Sequence, residues 1–293
     1  MPLHCPPHLY NHDKDVTTDT LRHVRTPVNG VLVHARIGGT PAADRPAVIL
    51  LHGLSISSRY LAPLAIELAE WTYVAAPDIP GFGLSGKPGR ILDIPGMADA
   101  MVGWMGAMEI PHAILAGNSA GSQVAVNLAV RYPGRAAGLV LTGLALGGQR
   151  RGVWSQLGRA VVDVPREPLA LWPMQARDFI AAGPRRVVRT LQLAMNDRME
   201  ELIPEITVPT LVVEGARDPM DDPEWNRTLV AALPRGRLAT VPRGTHALPM
   251  SEPRELARLI QEFALDLEDL PAHAAAADAG LKPGAKPTKS LRD

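Results

Sequence analysis

Ser119, His246 and the carboxylates near residue 218 are the side chains whose types and settings could do covalent chemistry together. Ser119 is the centre of Gly117-Asn118-Ser119-Ala120-Gly121, a G-x-S-x-G pentapeptide. The apolar run Ala113-Ile114-Leu115-Ala116 before it reads as a buried strand. From Gln123 onwards, Val124, Leu128 and Tyr132 fall on one helical face. A sharp strand-to-helix turn would hold its central residue in a strained backbone conformation, and flanking glycines would let strand and helix pack closely. The hydroxyl would then project near the positive end of the following helix. A serine hydroxyl is a poor nucleophile until a base takes its proton. His246, whose imidazole ordinarily titrates near ~6.5, can accept that proton and return it to a leaving group. A carboxylate would fix the imidazole tautomer and stabilise the imidazolium. Asp218, Glu214, Asp221 and Asp222 are the candidates.

Each of these residues follows a short apolar run. Pro209 opens a strand at Thr210-Leu211-Val212-Val213, Gly215 ends it, and Asp218 lies in the loop beyond. Leu238-Ala239-Thr240-Val241 reads as a last strand, followed by a glycine loop and His246. Further upstream, Val48-Ile49-Leu50-Leu51 runs straight into His52-Gly53-Leu54. The chain order is serine, acid, histidine.

With these segments the chain resembles the α/β-hydrolase superfamily, in its capped esterase/lipase-like branch, over roughly residues 24–267. Asp78-Ile79-Pro80-Gly81-Phe82-Gly83-Leu84-Ser85 is similar to a D-x-P-G-x-G-x-S loop common in that family. Asp78 there reads as structural, bonding turn amides. The resemblance implies Ser119 as nucleophile, His246 as acid and base, and Asp218, at the loop position the family uses, as the orienting acid. It also implies an oxyanion hole from the backbone N–H groups of Leu54 and Ala120, with His52 and Gly53 lining the substrate site. Relatives with an aspartate at the elbow, the haloalkane dehalogenases and epoxide hydrolases, are excluded by Ser119. The expected activity is hydrolysis of an ester-like bond in a small, largely apolar molecule. The same machinery also serves C–C bond hydrolysis and cofactor-free cyclase, lyase or acyl-transfer steps, and a ligand-binding protein with little turnover is a further alternative.

The elements that must position these residues alternate between strand and helix, which predicts an α/β fold with a mostly parallel twisted sheet and helices on both faces. Residues 21–37 read as two strands joined at Pro27-Val28-Asn29-Gly30, where Asn-Gly is a hairpin signal. Helices are expected over 58–70 and 97–108, with strands at 72–75 and 136–141. Between 143 and 205 the spacing turns helical and Pro165, Pro168, Pro173 and Pro184 divide it, as in an inserted helical cap. Trp154 and Trp172 are its candidate substrate contacts. Its arginines, including Arg185, Arg186 and Arg189, read as a solvated face that could also clamp a carboxylate. The core is therefore assigned to 21–142 and 206–267. Residues 1–20 read as irregular and 268–293 as a disordered tail.

Composition narrows the rest. Thirty Lys and Arg balance thirty Asp and Glu, so neither nucleic acid nor a strongly acidic partner is expected. His4, His8 and His12 sit among prolines that break any helix presenting them to a metal. Without a Cys/His cluster or a glycine-rich phosphate loop, no cofactor and no metal are expected. The single cysteine, Cys5, and the lack of a basic-then-apolar leader point to the cytoplasm. No apolar run reaches the ~20 residues a membrane span needs. The expected partner is a small-molecule substrate.

Overall fold

The apolar runs form strands whose successive side chains enter opposite layers, as the two-residue period of a strand demands. The computed structural model describes residues 21–42, 44–144 and 162–268. Its strands are β1 (Arg22–Val28), β2 (Val31–Gly38), β3 (Ala47–Leu51), β4 (Val74–Pro77), β5 (Ala113–Asn118), β6 (Ala136–Thr142), β7 (Thr210–Gly215) and β8 (Gly236–Val241). They form one sheet in the order β1-β2-β4-β3-β5-β6-β7-β8. β1 and β2 are antiparallel, and so are β2 and β4, while the pairs from β4 to β8 are parallel. The first hairpin turns at Asn29 (φ 49°) and Gly30 (φ 82°). Both angles lie in the region that favours an Asn-Gly pair.

Val48 and Leu50 of β3, Ile114 of β5 and Val140 of β6 enter one apolar layer. Ile49, Leu51, Leu115, Leu139 and Leu141 enter the other. Helices α1 (Ala62–Ala69) and α9 (Pro253–Glu268) cover the first layer. Helices α2 (Ile94–Ala107), α3 (Ala120–Arg131) and α7 (Pro223–Ala232) cover the second. Near-continuous apolar strands are what a sheet buried on both faces requires. A fully buried Leu or Ile contributes ~2 kcal/mol, so this two-sided burial dominates the fold's stability.

Three boundaries differ from the sequence expectation. The second helix starts at Ile94 rather than 97, because Asp93 caps it through Gly96 N at 2.9 Å and Pro95 occupies its first turn. The helix expected over 58–70 opens as a 3₁₀ turn, Ser58–Leu61, before α1. The strand expected at 72–75 runs from Val74 to Pro77, displaced because Thr72 still bonds back to Leu68 O at the end of α1.

Between β6 and β7 the described residues are helical. They include α4 (Leu171–Ala182), α5 (Pro184–Asn196) and the short α6 (Met199–Leu202). Another short helix, α8 (Leu248–Ser251), follows the histidine loop. The expectations for residues 1–20, for Trp154 and for the tail beyond 268 lie outside the described residues. Among the described residues, no helix is long and apolar enough to cross a membrane.

Candidate active site

The chain enters β3, crosses to β4 and returns past β3 to β5, so the order of the sheet reverses beside β3. In open α/β sheets, ligands bind at such a switch point, outside the carboxyl ends of the strands. The residues singled out by sequence follow the carboxyl ends of β3, β5, β7 and β8.

Ser119 sits between β5 and α3 at φ 57° and ψ −122°, a conformation that costs a non-glycine residue ~1–3 kcal/mol. Its neighbours explain how the turn survives. A Cβ on Gly117 would lie 2.4 Å from Gly121 O, and one on Gly121 would lie 2.1 Å from Leu51 O. Only glycines let β3, β5 and α3 approach this closely. Ser119 N donates to Thr142 O at 2.9 Å, extending the β5–β6 ladder through the strained residue. The buried Ser122 hydroxyl lies 2.9 Å from both Gly117 O and Thr142 O. Ser119 itself is partly exposed.

His246 Nδ1 lies 2.9 Å from Asp218 Oδ2. The Asp218 side chain is 1% exposed, that of His246 20%. Asp218 Oδ1 accepts from Met220 N at 2.7 Å and Asp221 N at 3.3 Å, so the side chain is held in place by the turn that follows it. With Nδ1–H donated to Asp218, Nε2 is left as the acceptor. Burial alone would lower the His246 pKa. The Asp218 charge and hydrogen bond, then the charges of Asp163 and Glu167, outweigh it and raise the imidazole to about 9.

The rival acids have other tasks. Glu214 accepts from Asn226 Nδ2 at 3.2 Å and Thr240 Oγ1 at 2.9 Å. Asp222 caps α7 through Glu224 N. Asp221 is buried, and burial together with the Asp218 charge pushes it up to about 7.

Two contacts join the histidine loop to the elbow. Asn118 Nδ2 donates to His246 O at 3.0 Å and to Thr142 Oγ1 at 2.9 Å, while Asn118 Oδ1 accepts from Tyr60 OH at 2.8 Å. Gly143, at φ 60°, lies against the imidazole, and a Cβ there would be 3.0 Å from His246 Cε1. Asp218 and His246 are thus tied to the elbow that carries Ser119, beyond the carboxyl ends of the strands.

Gly53 stands beside Ser119, where a Cβ would lie 3.4 Å from Ser119 Cβ and 3.9 Å from its Oγ. Leu54 follows directly, and Ala120 opens α3, where the first N–H groups have no partner within the helix. Gly53 and the first turn of α3 thus both adjoin Ser119.

His52 takes a different part from the expected substrate contact. It is 1% exposed, its Nδ1 lies 2.7 Å from Gly53 O, and its Nε2 accepts from Ile79 N at 2.9 Å. Both ring nitrogens are committed to backbone, which requires the neutral ring, and burial lowers its pKa. The ring pins the Gly53 loop to the loop after β4. In that second loop Asp78 accepts from Ser58 N (2.7 Å), Leu84 N (2.8 Å) and His34 Nδ1 (2.8 Å), the structural role expected of it. Trp172 is half-buried in the first turn of α4.

The sequence did not single out Glu167. This buried residue accepts from Thr245 Oγ1 at 2.9 Å and Ala247 N at 3.0 Å, on either side of His246. No local pattern marks it, because its partners lie about eighty residues away. The helical segment also reaches the β3 loop, where Gln175 Nε2 donates to Ser55 Oγ at 3.5 Å, and reaches α3, where Gln123 Nε2 donates to Ala194 O at 3.0 Å.

Residues 48–259 match the alpha/beta hydrolase family. The chain is 27% identical over 268 residues to a pimeloyl-[acyl-carrier protein] methyl ester esterase of Aromatoleum aromaticum, covering 75% of this chain and 98% of that protein. A shorter stretch of 82 residues is 44% identical to 2-hydroxymuconate semialdehyde hydrolase of a Pseudomonas strain, covering 27% of this chain and 28% of that one. Among solved structures, a thermophilic esterase of Thermogutta terrifontis superposes with a TM-score of 0.69 at 23% identity, over 84% of this chain and 99% of that one.

Proposed function

Because the chain belongs to the alpha/beta hydrolase family, we propose that it is a serine hydrolase acting on an ester-like bond of a small, largely apolar substrate. The observation that carries this reading is the 2.9 Å bond from His246 to a buried Asp218, formed beside the Ser119 elbow. In the proposed reaction, His246 Nε2 takes the Ser119 proton as Oγ attacks the carbonyl carbon. Asp218 holds the tautomer and stabilises the imidazolium. The N–H groups of Leu54 and Ala120 receive the oxyanion, and loss of one such donor costs ~100–1000-fold in rate. Collapse expels the alcohol, which takes the proton from His246. Water, deprotonated by the same nitrogen, then frees the acid and restores Ser119. The helices between β6 and β7 serve as the cap, with Trp172 as a candidate wall of the acyl pocket. The esterase similarity along most of the chain supports an ester. The local match to a semialdehyde hydrolase favours C–C bond hydrolysis as the second reading, with the same residues in the same roles.

The test is intact-mass spectrometry after treatment with a fluorophosphonate, followed by a series of p-nitrophenyl esters of increasing chain length. Wild type should gain one adduct and Ser119→Ala none, with turnover abolished and the fold unchanged. Full esterase activity in Ser119→Ala would falsify the assignment.

A further inference from the structure

The segment before α4 carries a carboxylate pair that a serine, histidine and aspartate mechanism does not need. Glu167 is 6% exposed, and burying a charge is costly unless hydrogen bonds compensate. Its bonds are spent on the histidine loop, with Oε2 on the Thr245 hydroxyl at 2.9 Å and Oε1 on Ala247 N at 3.0 Å. These partners are the residues immediately before and after His246. One carboxylate therefore joins the side chain before the imidazole to the peptide unit after it. Asp163 stands behind it and shares a hydrogen bond with Glu167, while its own Oδ1 is buried without a partner.

We propose that Glu167 is a positioning residue of the active site, a clamp from the helical insertion that holds the Thr245 hydroxyl and the Ala247 amide on either side of His246 and so aims the imidazole at Ser119. This inference rests on the serine-hydrolase reading for its kinetic consequences, although the clamp itself is a matter of geometry. Asn118 already holds His246 O from the elbow side at 3.0 Å, and Asp218 holds Nδ1. Glu167 supplies the remaining direction, and it comes from an element outside the sheet. A catalytic group misplaced by ~1 Å loses ~100-fold in rate, which is the scale of effect the clamp can exert. Asp218, Asp163 and Glu167 face His246 and each raises its pKa, and Asp221 also interacts with its charge. Glu167 also faces Tyr60, the partner of Asn118.

The experiment compares wild type, Glu167→Ala, Glu167→Gln and Thr245→Val in three readouts. These are the rate of fluorophosphonate labelling, kcat and KM on an ester, and the far-downfield proton signal of an imidazole Nδ1–H bonded to a carboxylate. Glu167→Ala should lose ~10–100-fold in labelling and kcat with KM changed little, the pattern of a misaimed catalytic group. Its downfield signal should broaden or vanish. Glu167→Gln keeps an acceptor for Ala247 N, and the Thr245 hydroxyl can accept from the new amide. It should recover most of the rate and the signal. With one carboxylate gone, its acid limb in kcat/KM should move to lower pH. Thr245→Val, which removes one bond of the pair, covers the case in which Glu167→Ala fails to fold, and should fall between wild type and the expected alanine behaviour.

Wild-type labelling rate, kcat and downfield signal in folded Glu167→Ala, or in Thr245→Val should the alanine variant not fold, would overturn the clamp. So would a Gln variant as defective as Ala. A wild type that resists the phosphonate but shows the signal, lost on Glu167→Ala, would keep the clamp and sink the hydrolase reading instead.

Discussion

At the scale of single residues, the site depends on small side chains as much as on reactive ones. Gly143 combines φ 60° with a position where a Cβ would lie 2.9 Å from Asn118 Nδ2 and 3.0 Å from His246 Cε1. The left-handed backbone alone costs alanine ~1 kcal/mol, which a folded domain tolerates. Crowding the imidazole is the larger functional effect. Gly143→Ala should therefore lower kcat by ~10–100-fold, as small misplacements of a catalytic group do, while KM and the melting temperature change modestly. Steady-state kinetics with a thermal melt checks this, and an unchanged kcat would mean that the ring has slack. The same scale shows what sequence could reveal. Ser119 was legible because the strain of its turn demands glycines two residues away on each side, a local pattern. His246 and Asp218 were legible through their strands and their order. Glu167 was not, since a carboxylate bonding to a distant loop leaves no spacing to read. His52 misled because a histidine beside a catalytic loop looks like a ligand until both of its nitrogens are found bonded to backbone.

At the scale of elements, apolar runs declared the strands and proline and glycine declared their ends, so the sheet was readable almost in full. The errors fell at helix starts, where side-chain capping decides the first residue and apolar periodicity does not. α2 is the clearest case. Asp93-Ile94-Pro95 begins the helix one turn before the Met- and Ala-rich stretch that announces it, because the Asp93 carboxylate satisfies Gly96 N. This helix delivers Trp104, fully buried, to the layer that also packs α3 behind Ser119. Losing such a cap typically costs ~1 kcal/mol. Asp93→Ala should lower the unfolding free energy by that amount, seen as a lower urea midpoint with an unchanged slope, and leave the activity per folded molecule unchanged. A change in kcat would mean that α2 also tunes the elbow. The amphipathic α9 shows the opposite situation. Leu256, Ala257, Ile260, Phe263 and Ala264 follow a helical spacing and enter the layer on the other face of the sheet. Its pattern was present in the sequence, but it carries no chemistry and gave no motif to notice.

At the scale of the whole molecule, protonation couples the site to stability, and the signs divide into two groups. Asp78 has its pKa depressed. Burial would raise it, but the hydrogen bond and charge of His34, then the Arg36 charge, overcome that. His52 is lowered by burial. A depressed folded pKa contributes stability above the unfolded value and loses it on acidification, so these two groups hold the fold at neutral pH and release it in acid. His246, Asp163 and Asp221 behave in the opposite way. Asp163 and Asp221 rise from 3.8 to about 7, and His246 from 6.5 to about 9. A raised folded pKa contributes stability that is complete below the unfolded value and is lost as pH climbs through the folded one. The carboxyls therefore give up stability between about pH 4 and 7, and the histidine between about pH 6.5 and 9. The site is least stable in the alkaline range where a neutral His246 would be most active, a conflict expected where function stores unfavourable charge. Asp221 is the place to separate the two effects. Its carboxyl bears most on Asp218, and it also interacts with the His246 charge. Asp221→Asn removes a charge that must otherwise be ionised while buried beside Asp218. Below about pH 4 the carboxyl is protonated in both the folded and the unfolded protein, and the two proteins should melt together. At pH 8 the variant should melt several degrees higher, with the acid limb of kcat/KM moved slightly to lower pH because one charge favouring the imidazolium is gone. Parallel melting curves across that range would mean that Asp221 finds compensation in the fold that its buried oxygens do not reveal.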